Sequence, residues 1–213
     1  MNIDCDHRSH GCKGNSFIWV NDSRKIIYLE VPKNASSTLK KVLRVPPLGH
    51  DKNWKNLDRK EYIDNNDNYS NYFVFTIFRD MEERIISNYK DFCISKKEFR
   101  VKQMSSLFKL DKNRIEQLSV SDFLQLAHKY KDHHWNSQTK YMYLTLKKKP
   151  IIYHINDLDK LLEKLGTKAP VKANKSIEKT FEITNGDRQL IKKIYKEDYE
   201  NIELINNNMF KSD

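Results

Sequence analysis

Hydrophobic positions fall into short runs rich in β-branched and aromatic residues, separated by polar or helical stretches. The first two runs, 17–20 and 26–31, are joined by polar turn residues, a pattern that predicts a β-hairpin. The most strand-like run is Tyr72–Phe78, and another strand is predicted at Pro150–Ile155. Helices are predicted at Leu39–Leu43, Glu82–Phe92, Phe123–Tyr130 and Leu158–Leu165, and from about Gly186 to Leu204.

The order of these elements predicts the fold class. Strands that alternate with helices build a parallel sheet with right-handed crossovers. We therefore predict an α/β protein with a P-loop-like three-layer fold, in which helices flank a central parallel sheet. The 213 residues can bury one core, so we predict a single domain over residues 1–213 with a flexible or irregular N-terminal segment at 1–16. Residues 45–71 are polar and are predicted to be irregular.

The chain is strongly basic, and this narrows the class of partner. It has 39 Lys and Arg residues against 29 Asp and Glu residues, a net charge of +10. Such a surplus favours an anionic partner without choosing among nucleic acid, a phosphate-bearing cofactor, an acidic glycan and a membrane surface. No run approaches the ~18 consecutive apolar residues of a membrane span, so we expect no transmembrane segment.

The number of cysteines indicates whether the protein works in a reducing or an oxidising compartment. The three cysteines are Cys5, Cys12 and Cys93, a sparse and odd set that fits a reducing environment. The first residues show no signal-peptide pattern, so the expected location is the cytoplasm. Cys5, His7, His10 and Cys12 are residue types that bind zinc, but their spacing matches no standard zinc motif, and no metal is predicted.

The loop Val31–Thr38 is the first candidate site. It joins a predicted strand to a predicted helix, and the free N–H groups and dipole at a helix start favour an anion. Lys33 adds a full positive charge. The pattern lacks the glycines of a Walker A loop. An ordinary capped helix with a chance lysine explains it about equally well. The remaining donors are Asn34, Ala35, Ser36, Ser37 and Thr38.

Arg79 and Ser87 form the second candidate site. Arg79 lies at the carboxyl end of a predicted strand, where ligands of open α/β sheets collect. Ser87 follows about two helical turns later. A guanidinium and a hydroxyl so placed can bind one phosphate group. The alternative is ordinary charge pairing at a helix start, which contributes little to stability.

Several segments resemble one enzyme family. Residues 31–43 (VPKNASSTLKKVL) resemble the 5′-phosphosulfate loop of carbohydrate sulfotransferases that use 3′-phosphoadenosine 5′-phosphosulfate (PAPS). Residues 75–92 resemble the 3′-phosphate motif of the same family. The segment 134–138 (HWNSQ) is similar to the HWxPQ segment of the chondroitin/dermatan 4-O-sulfotransferase branch, in sulfotransferase family 2. The paired cysteines and membrane anchor of Golgi relatives are missing here, which fits the cytoplasmic expectation.

The resemblance implies a role for each matching residue. Lys33 neutralises charge on the oxygen that leaves from PAPS, and the amides from Ala35 to Thr38 hold the sulfate and the 5′-phosphate. Arg79 and Ser87 bind the 3′-phosphate. The family's chemistry requires no metal. Two further residues, Asn174 and Ser176, close over the nucleotide.

A base must take the proton of the acceptor hydroxyl, and histidine suits neutral pH. His134 is the first choice, although a buried structural His–Trp pair explains it about as well. His50 is the second choice, and an acidic residue in its segment is a further alternative. The acceptor is expected to be a carbohydrate hydroxyl. The net charge of +10 and Lys102, Lys109 and 147–149 weakly favour an acidic glycan.

Two other functions compete with this hypothesis. A P-loop-like nucleotide or small-molecule kinase would share the strand–loop–helix layout, but it should show a Walker A loop and a carboxylate-held magnesium site. A non-catalytic polyanion-binding protein would explain the charge alone. Neither kinase feature is evident in the sequence. A polyanion-binding protein does not explain the Lys33 loop and the Arg79/Ser87 pair, each at the end of a strand, so we expect a sulfotransferase with no nucleic-acid partner.

Overall fold

A computed structural model describes residues 17–95, 97–167 and 180–211. In this part of the chain, one five-stranded sheet has the order β3-β1-β2-β4-β5. Its strands are β1 (Ile18–Asn21), β2 (Ile26–Leu29), β3 (Trp54–Asn56), β4 (Phe73–Phe78) and β5 (Ile151–His154).

The strand directions confirm an α/β fold around a mostly parallel sheet. Strands β2 and β4 pair in parallel, and so do β4 and β5. The first strand forms the predicted hairpin with β2 and also pairs antiparallel with β3. Every residue of β2 is buried, as expected for a central strand covered on both faces.

Helices follow β2, β4 and β5, as the sequence predicted. Those of the first half are α1 (Ser36–Leu43), α2 (Arg59–Asp64), α3 (Met81–Tyr89), α4 (Glu98–Phe108), α5 (Lys112–Gln117) and α6 (Val120–Lys129). Those of the second half are α7 (Thr139–Met142), α8 (Leu158–Lys164), α9 (Asn185–Ile194), α10 (Lys196–Glu200) and α11 (Ile202–Asn207).

Some local predictions were wrong. The polar stretch 45–71 contains β3, α2 and a short 3-10 helix at Asn66–Tyr69. The long helix predicted near the C-terminal end is three shorter helices, α9 to α11. The helix after β4 ends at Tyr89 and continues as one turn of π-helix, Lys90–Ile94. Tertiary packing decides these boundaries, because short polar elements carry little periodicity of their own.

The chain divides into two compact units. Among the described residues, one unit holds 17–79, 138–167 and 200–211, and the other holds 80–95, 97–137 and 180–199. The sequence-based prediction of one domain stays a prediction.

The first unit buries both faces of the sheet. One face packs against α1 and α8, and the other packs against the segment around α2. The first face presents Trp19, Tyr28, Phe75, Ile77 and Tyr153 to Leu39, Leu43, Leu161 and Leu162. The second presents Ile18, Val20, Ile27, Leu29 and Val74 to Leu57, Tyr62, Tyr69 and Tyr72.

The second unit is helical in its described part. Its helix α9 packs against both α3 and α6. Capping boxes start α6 at Ser119 and α9 at Thr184, and Ser121 Oγ donates to Asp187 at 2.6 Å. These contacts join helix starts that are far apart in sequence. None of the helices in the described ranges is long and apolar enough to span a bilayer.

Candidate active site

The N-terminus of α1 has no side-chain cap, as is also true of α4, α7, α8 and α11, whereas five other helix starts have one. In α2, α3, α5, α6 and α9, a side-chain oxygen of the residue before the helix accepts a hydrogen bond from a backbone N–H of the first turn. Ala35 occupies this place before α1 and offers no such bond. The first-turn amides of α1 are therefore not bonded by a cap side chain, and the helix dipole places positive potential there. A short loop joins this helix start to β2, so the end of a central strand leads directly into it.

Two residues of the loop have positive φ without being glycine. Lys33 has φ of 70° and Ala35 has φ of 59°. This conformation costs an L-residue about 1 kcal/mol, and such strain clusters at ligand-binding sites. Alternation of ordinary and left-handed residues turns successive backbone N–H groups toward one point, which makes an anion-binding concavity. Lys33 is half-buried, and its charge adds to that of the amides.

An ion pair between the buried Glu30 and the partly buried Lys40 braces the loop at its two ends. Glu30 follows β2, and Lys40 lies in α1. The ammonium of Lys40 is 2.7 Å from Oε1 of Glu30, and the indole N–H of Trp19 donates to Oε2 at 2.7 Å. Ser36 Oγ also donates to the carbonyl of Val31 at 3.1 Å. These bonds fix the strand and the helix around the loop.

Arg79 belongs to the same unit as this loop. Its guanidinium Nη1 donates to the carbonyl of Lys33 at 3.3 Å. The side chain of Gln138 accepts from the backbone N–H of Arg79 at 3.1 Å and donates to its carbonyl at 2.8 Å. Asn34 donates to Gln138 Oε1 at 2.5 Å. The structure thus brings Lys33, Asn34 and Arg79 together at the ends of β2 and β4.

Ser87 lies in α3 of the other unit and is half-buried. The helix begins at the cap residue Asp80, whose side chain accepts from the backbone N–H groups of Glu82 and Glu83. This confirms the helix start after Arg79. The joint binding of one phosphate by Arg79 and Ser87 stays a prediction.

His134, the first candidate for the base, is buried in that second unit with 8% of its surface exposed. Its Nδ1 lies 2.5 Å from Asp132 Oδ1, and its Nε2 lies 3.3 Å from Arg100 Nη1. The ring also meets Phe92 edge-to-face at 4.8 Å. This geometry favours the structural explanation of His134 over the catalytic one.

The carboxylate of Asp132 is held ionised by its surroundings. Burial by itself raises the pKa of Asp132, but the hydrogen bond and charge of His134, with the charge of His133, outweigh it and hold the pKa well below the usual value. The candidate ligand atoms of Asp132, His133 and His134 lie within 4.8 Å of one another. The positive charge of Arg100 beside His134 opposes a metal cation there.

The remaining predicted residues divide into two groups. His50 is exposed, in the same unit as the loop. Asn174, Ser176 and the N-terminal Cys5/His7/His10/Cys12 cluster lie outside the described residues. Glu30 and Gln138 bond to the loop or its neighbours and were not predicted as site residues, although Gln138 is the last residue of the HWNSQ segment. Asp132, the partner of His134 in the other unit, was also not predicted.

The fold and the loop together define an α/β protein with a candidate anion site at a strand–loop–helix junction. The chain belongs to the sulfotransferase family, since a family model of that description matches residues 16–201. Neither the curated proteins nor the solved structures compared with it give a significant match. Family membership supports a transferase activity that moves a sulfuryl group, with a nucleotide sulfate donor and an acceptor substrate.

Proposed function

We propose that this protein is a PAPS-dependent carbohydrate O-sulfotransferase of the chondroitin/dermatan 4-O-sulfotransferase-like branch. The single observation that carries the proposal is the loop 31–38: it combines an uncapped helix start, two left-handed non-glycine residues and Lys33. Such a loop suits a group with closely spaced negative charges, and the 5′-phosphosulfate end of PAPS is one. The family match supports sulfuryl transfer.

Each part of the loop has a role in the cleavage of the sulfate donor. The acceptor oxygen forms a bond to sulfur while the bond from sulfur to the 5′-phosphate oxygen breaks, leaving 3′,5′-ADP. Lys33 neutralises the negative charge that grows on that leaving oxygen. The backbone amides at the start of α1 orient the sulfuryl and phosphate oxygens. Positioning and charge stabilisation carry most of the catalysis in transfers of this kind.

Arg79 and Ser87 hold the 3′-phosphate in this proposal, and Asn174 and Ser176 close over the nucleotide. The support for these four assignments is the resemblance of their sequence segments to the family motifs. For Arg79 there is a further reason, because its guanidinium already contacts the loop through the Lys33 carbonyl. The reaction needs no metal, and the location proposed is the cytoplasm.

The acceptor half needs a base for the hydroxyl proton. His134 and His50 are the two candidates. His50 is exposed to solvent, whereas both ring nitrogens of His134 have partners. The acceptor is a sugar hydroxyl, and the net charge of +10 favours a glycan with acidic groups.

The test is transfer of radiolabelled sulfate from PAPS to a panel of neutral and acidic glycans. We expect label on at least one glycan. The Lys33→Ala variant should lower kcat by about 100-fold or more, as loss of a transition-state charge partner does. Lys41→Ala is the matched control, because Lys41 is an exposed lysine of α1, the helix that follows the loop. Full turnover by Lys33→Ala would refute the role of Lys33.

The choice of stabilising ligand distinguishes a sulfotransferase from a kinase and from a non-catalytic polyanion-binding protein. Raised thermal stability with 3′,5′-ADP, at concentrations where ATP and oligonucleotides have little effect, supports a PAPS enzyme. Stabilisation by ATP and magnesium would instead support a kinase. Stabilisation by any polyanion would support a non-catalytic binding protein.

A further inference from the structure

Two buried side-chain amides bond to the end of β4 where β2 no longer pairs with it. The parallel pairing of β2 with β4 ends at Leu29 and Thr76. Beyond that point, Asn34 Nδ2 donates to the carbonyl of Ile77 at 2.8 Å. Gln138 then bonds both backbone groups of Arg79.

The orientation of both amides follows from their partners. The nitrogen of Asn34 faces two oxygens, the carbonyl of Ile77 and Oε1 of Gln138. The oxygen of Gln138 faces two N–H donors, and its nitrogen faces the carbonyl of Arg79. A flipped amide would place like groups against each other in either case. Both side chains are fully buried, with 0% exposure, so water cannot substitute for a lost bond.

This network connects the two elements that bear the positive charges of the candidate site. Asn34 stands between the two left-handed loop residues, Lys33 and Ala35. The backbone of Arg79 donates one bond to Gln138 and accepts one from it, and its side chain donates to the Lys33 carbonyl. One amide therefore sets the position of the loop relative to Arg79.

We propose that Gln138 is a positioning residue of the sulfotransferase, which holds Arg79 and the loop at 33–35 in the geometry that binds the donor nucleotide. This inference rests on the proposed function. Gln138 does not touch the donor itself. It acts through the backbone of Arg79 and the side chain of Asn34.

The test compares Gln138→Ala with Gln138→Glu. The alanine variant should weaken binding of 3′,5′-ADP, measured by calorimetry, by about tenfold or more, since several buried bonds are lost together. The glutamate variant offers a chemical rescue. A buried carboxyl has a raised pKa, and its protonated form donates through the O–H and accepts through the C=O, as the amide does.

Binding by Gln138→Glu should therefore recover toward the wild-type value between about pH 8 and about pH 6, whereas Gln138→Ala should show no such recovery. A role confined to stability would lower the melting temperature of both variants and leave the affinity of the folded protein unchanged. Gln125→Ala is the matched control, because Gln125 is an exposed glutamine in α6. Unchanged affinity in Gln138→Ala, or no pH-dependent recovery in Gln138→Glu, would overturn the proposal.

Hydrogen exchange tests the positioning role of Gln138 separately from the proposal that the protein binds PAPS. In Gln138→Ala without ligand, the amides at 33–38 and at Arg79 should exchange at least about tenfold faster, while those of β1 stay protected. If wild-type protein fails to bind 3′,5′-ADP, the donor assignment fails, and the exchange data still decide the positioning role. Unchanged exchange at Arg79 would refute that role whatever the ligand. If Gln138→Ala does not fold, Gln138→Glu at the lower pH provides the same readouts.

Discussion

The ammonium of Lys40 lies 2.7 Å from Oε1 of Glu30, and the two side chains are only 16% and 6% exposed. Oε2 of the same carboxylate accepts from the indole of Trp19. The pair thus joins the residue after β2 to the second turn of α1, on either side of the candidate anion loop. Removing one partner of a buried ion pair leaves the other charge uncompensated.

We expect Lys40→Met to lower the free energy of unfolding by about 3 kcal/mol. The double variant Lys40→Met with Glu30→Gln should be less destabilised than the sum of the two single variants, because neither charge then remains buried alone. Urea unfolding of all three variants measures this. Lys41→Met, at an exposed position of α1, is the control. Strict additivity would show that the pair does not couple.

Substitutions of Ala35 test the backbone strain of the loop. Its φ of 59° favours glycine, so Ala35→Gly should change the free energy of unfolding by less than about 1 kcal/mol and keep 3′,5′-ADP binding. Ala35→Val should destabilise the fold by about 2 kcal/mol and weaken binding, since a β-branched residue is poorly tolerated there. Chemical denaturation and calorimetry measure the two effects.

Lys109→Gly provides the comparison for Ala35. Lys109 has the same φ of 59°, after α4 in the other unit. Relief of strain at that position should leave nucleotide binding unchanged. If Ala35→Val binds as tightly as wild-type protein, the loop backbone does not hold the ligand.

The two histidines can be separated by stability and turnover. His134→Asn should lower the free energy of unfolding by about 2 kcal/mol or more, because Asp132 and Arg100 lose a buried partner. His50→Ala should stay within about 0.5 kcal/mol of wild type, as exposed substitutions do. The base is the histidine whose removal lowers kcat about 100-fold in protein that is still folded. An equal loss of stability in both variants would contradict the burial seen here.

The Asp132→Asn variant tests how the Asp132–His134 contact makes stability depend on pH. Because the folded-state pKa of Asp132 is lowered, its stabilising contribution is present above the unfolded pKa of about 4 and is lost as pH falls through the folded value. We expect wild-type protein to lose stability in that acidic window and Asp132→Asn to lose less. Thermal melts across acidic pH measure the difference. A melting temperature that falls equally in both proteins would show that ionised Asp132 does not stabilise the fold through its contact with His134.

Cys93 is expected to be unreactive in the native protein. Burial raises the pKa of its thiol to about 12, and only the thiolate reacts quickly. In a Cys5→Ser/Cys12→Ser variant, a disulfide reagent at about pH 8 should modify Cys93 only on unfolding. The buried thiol also contributes stability below the unfolded pKa of about 8.5, and this is lost as pH rises toward the folded value. Rapid modification of the folded variant would contradict the burial.

Local pattern determined the elements of this fold. The runs that form β1, β2, β4 and β5 are hydrophobic and β-branched, and helices start where Ser119 and Asp80 supply caps. The place of loop 31–38 between β2 and α1 was also predictable, because the lysine and small residues that mark it are adjacent in sequence. Short polar elements such as β3 were not, because pairing with β1 rather than their own composition makes them strands.

Only the tertiary structure decided how the candidate site is held together. Gln138 and Asn34 bond across 104 positions of sequence, and Gln138 and Arg79 across 59. No periodicity encodes such a contact, since it depends on which strand ends the fold brings to one place. His134, whose sequence motif suggested a base, is a mixed case. Asp132 is two positions away in sequence, whereas Arg100 is 34 positions away and reaches the ring only through the fold.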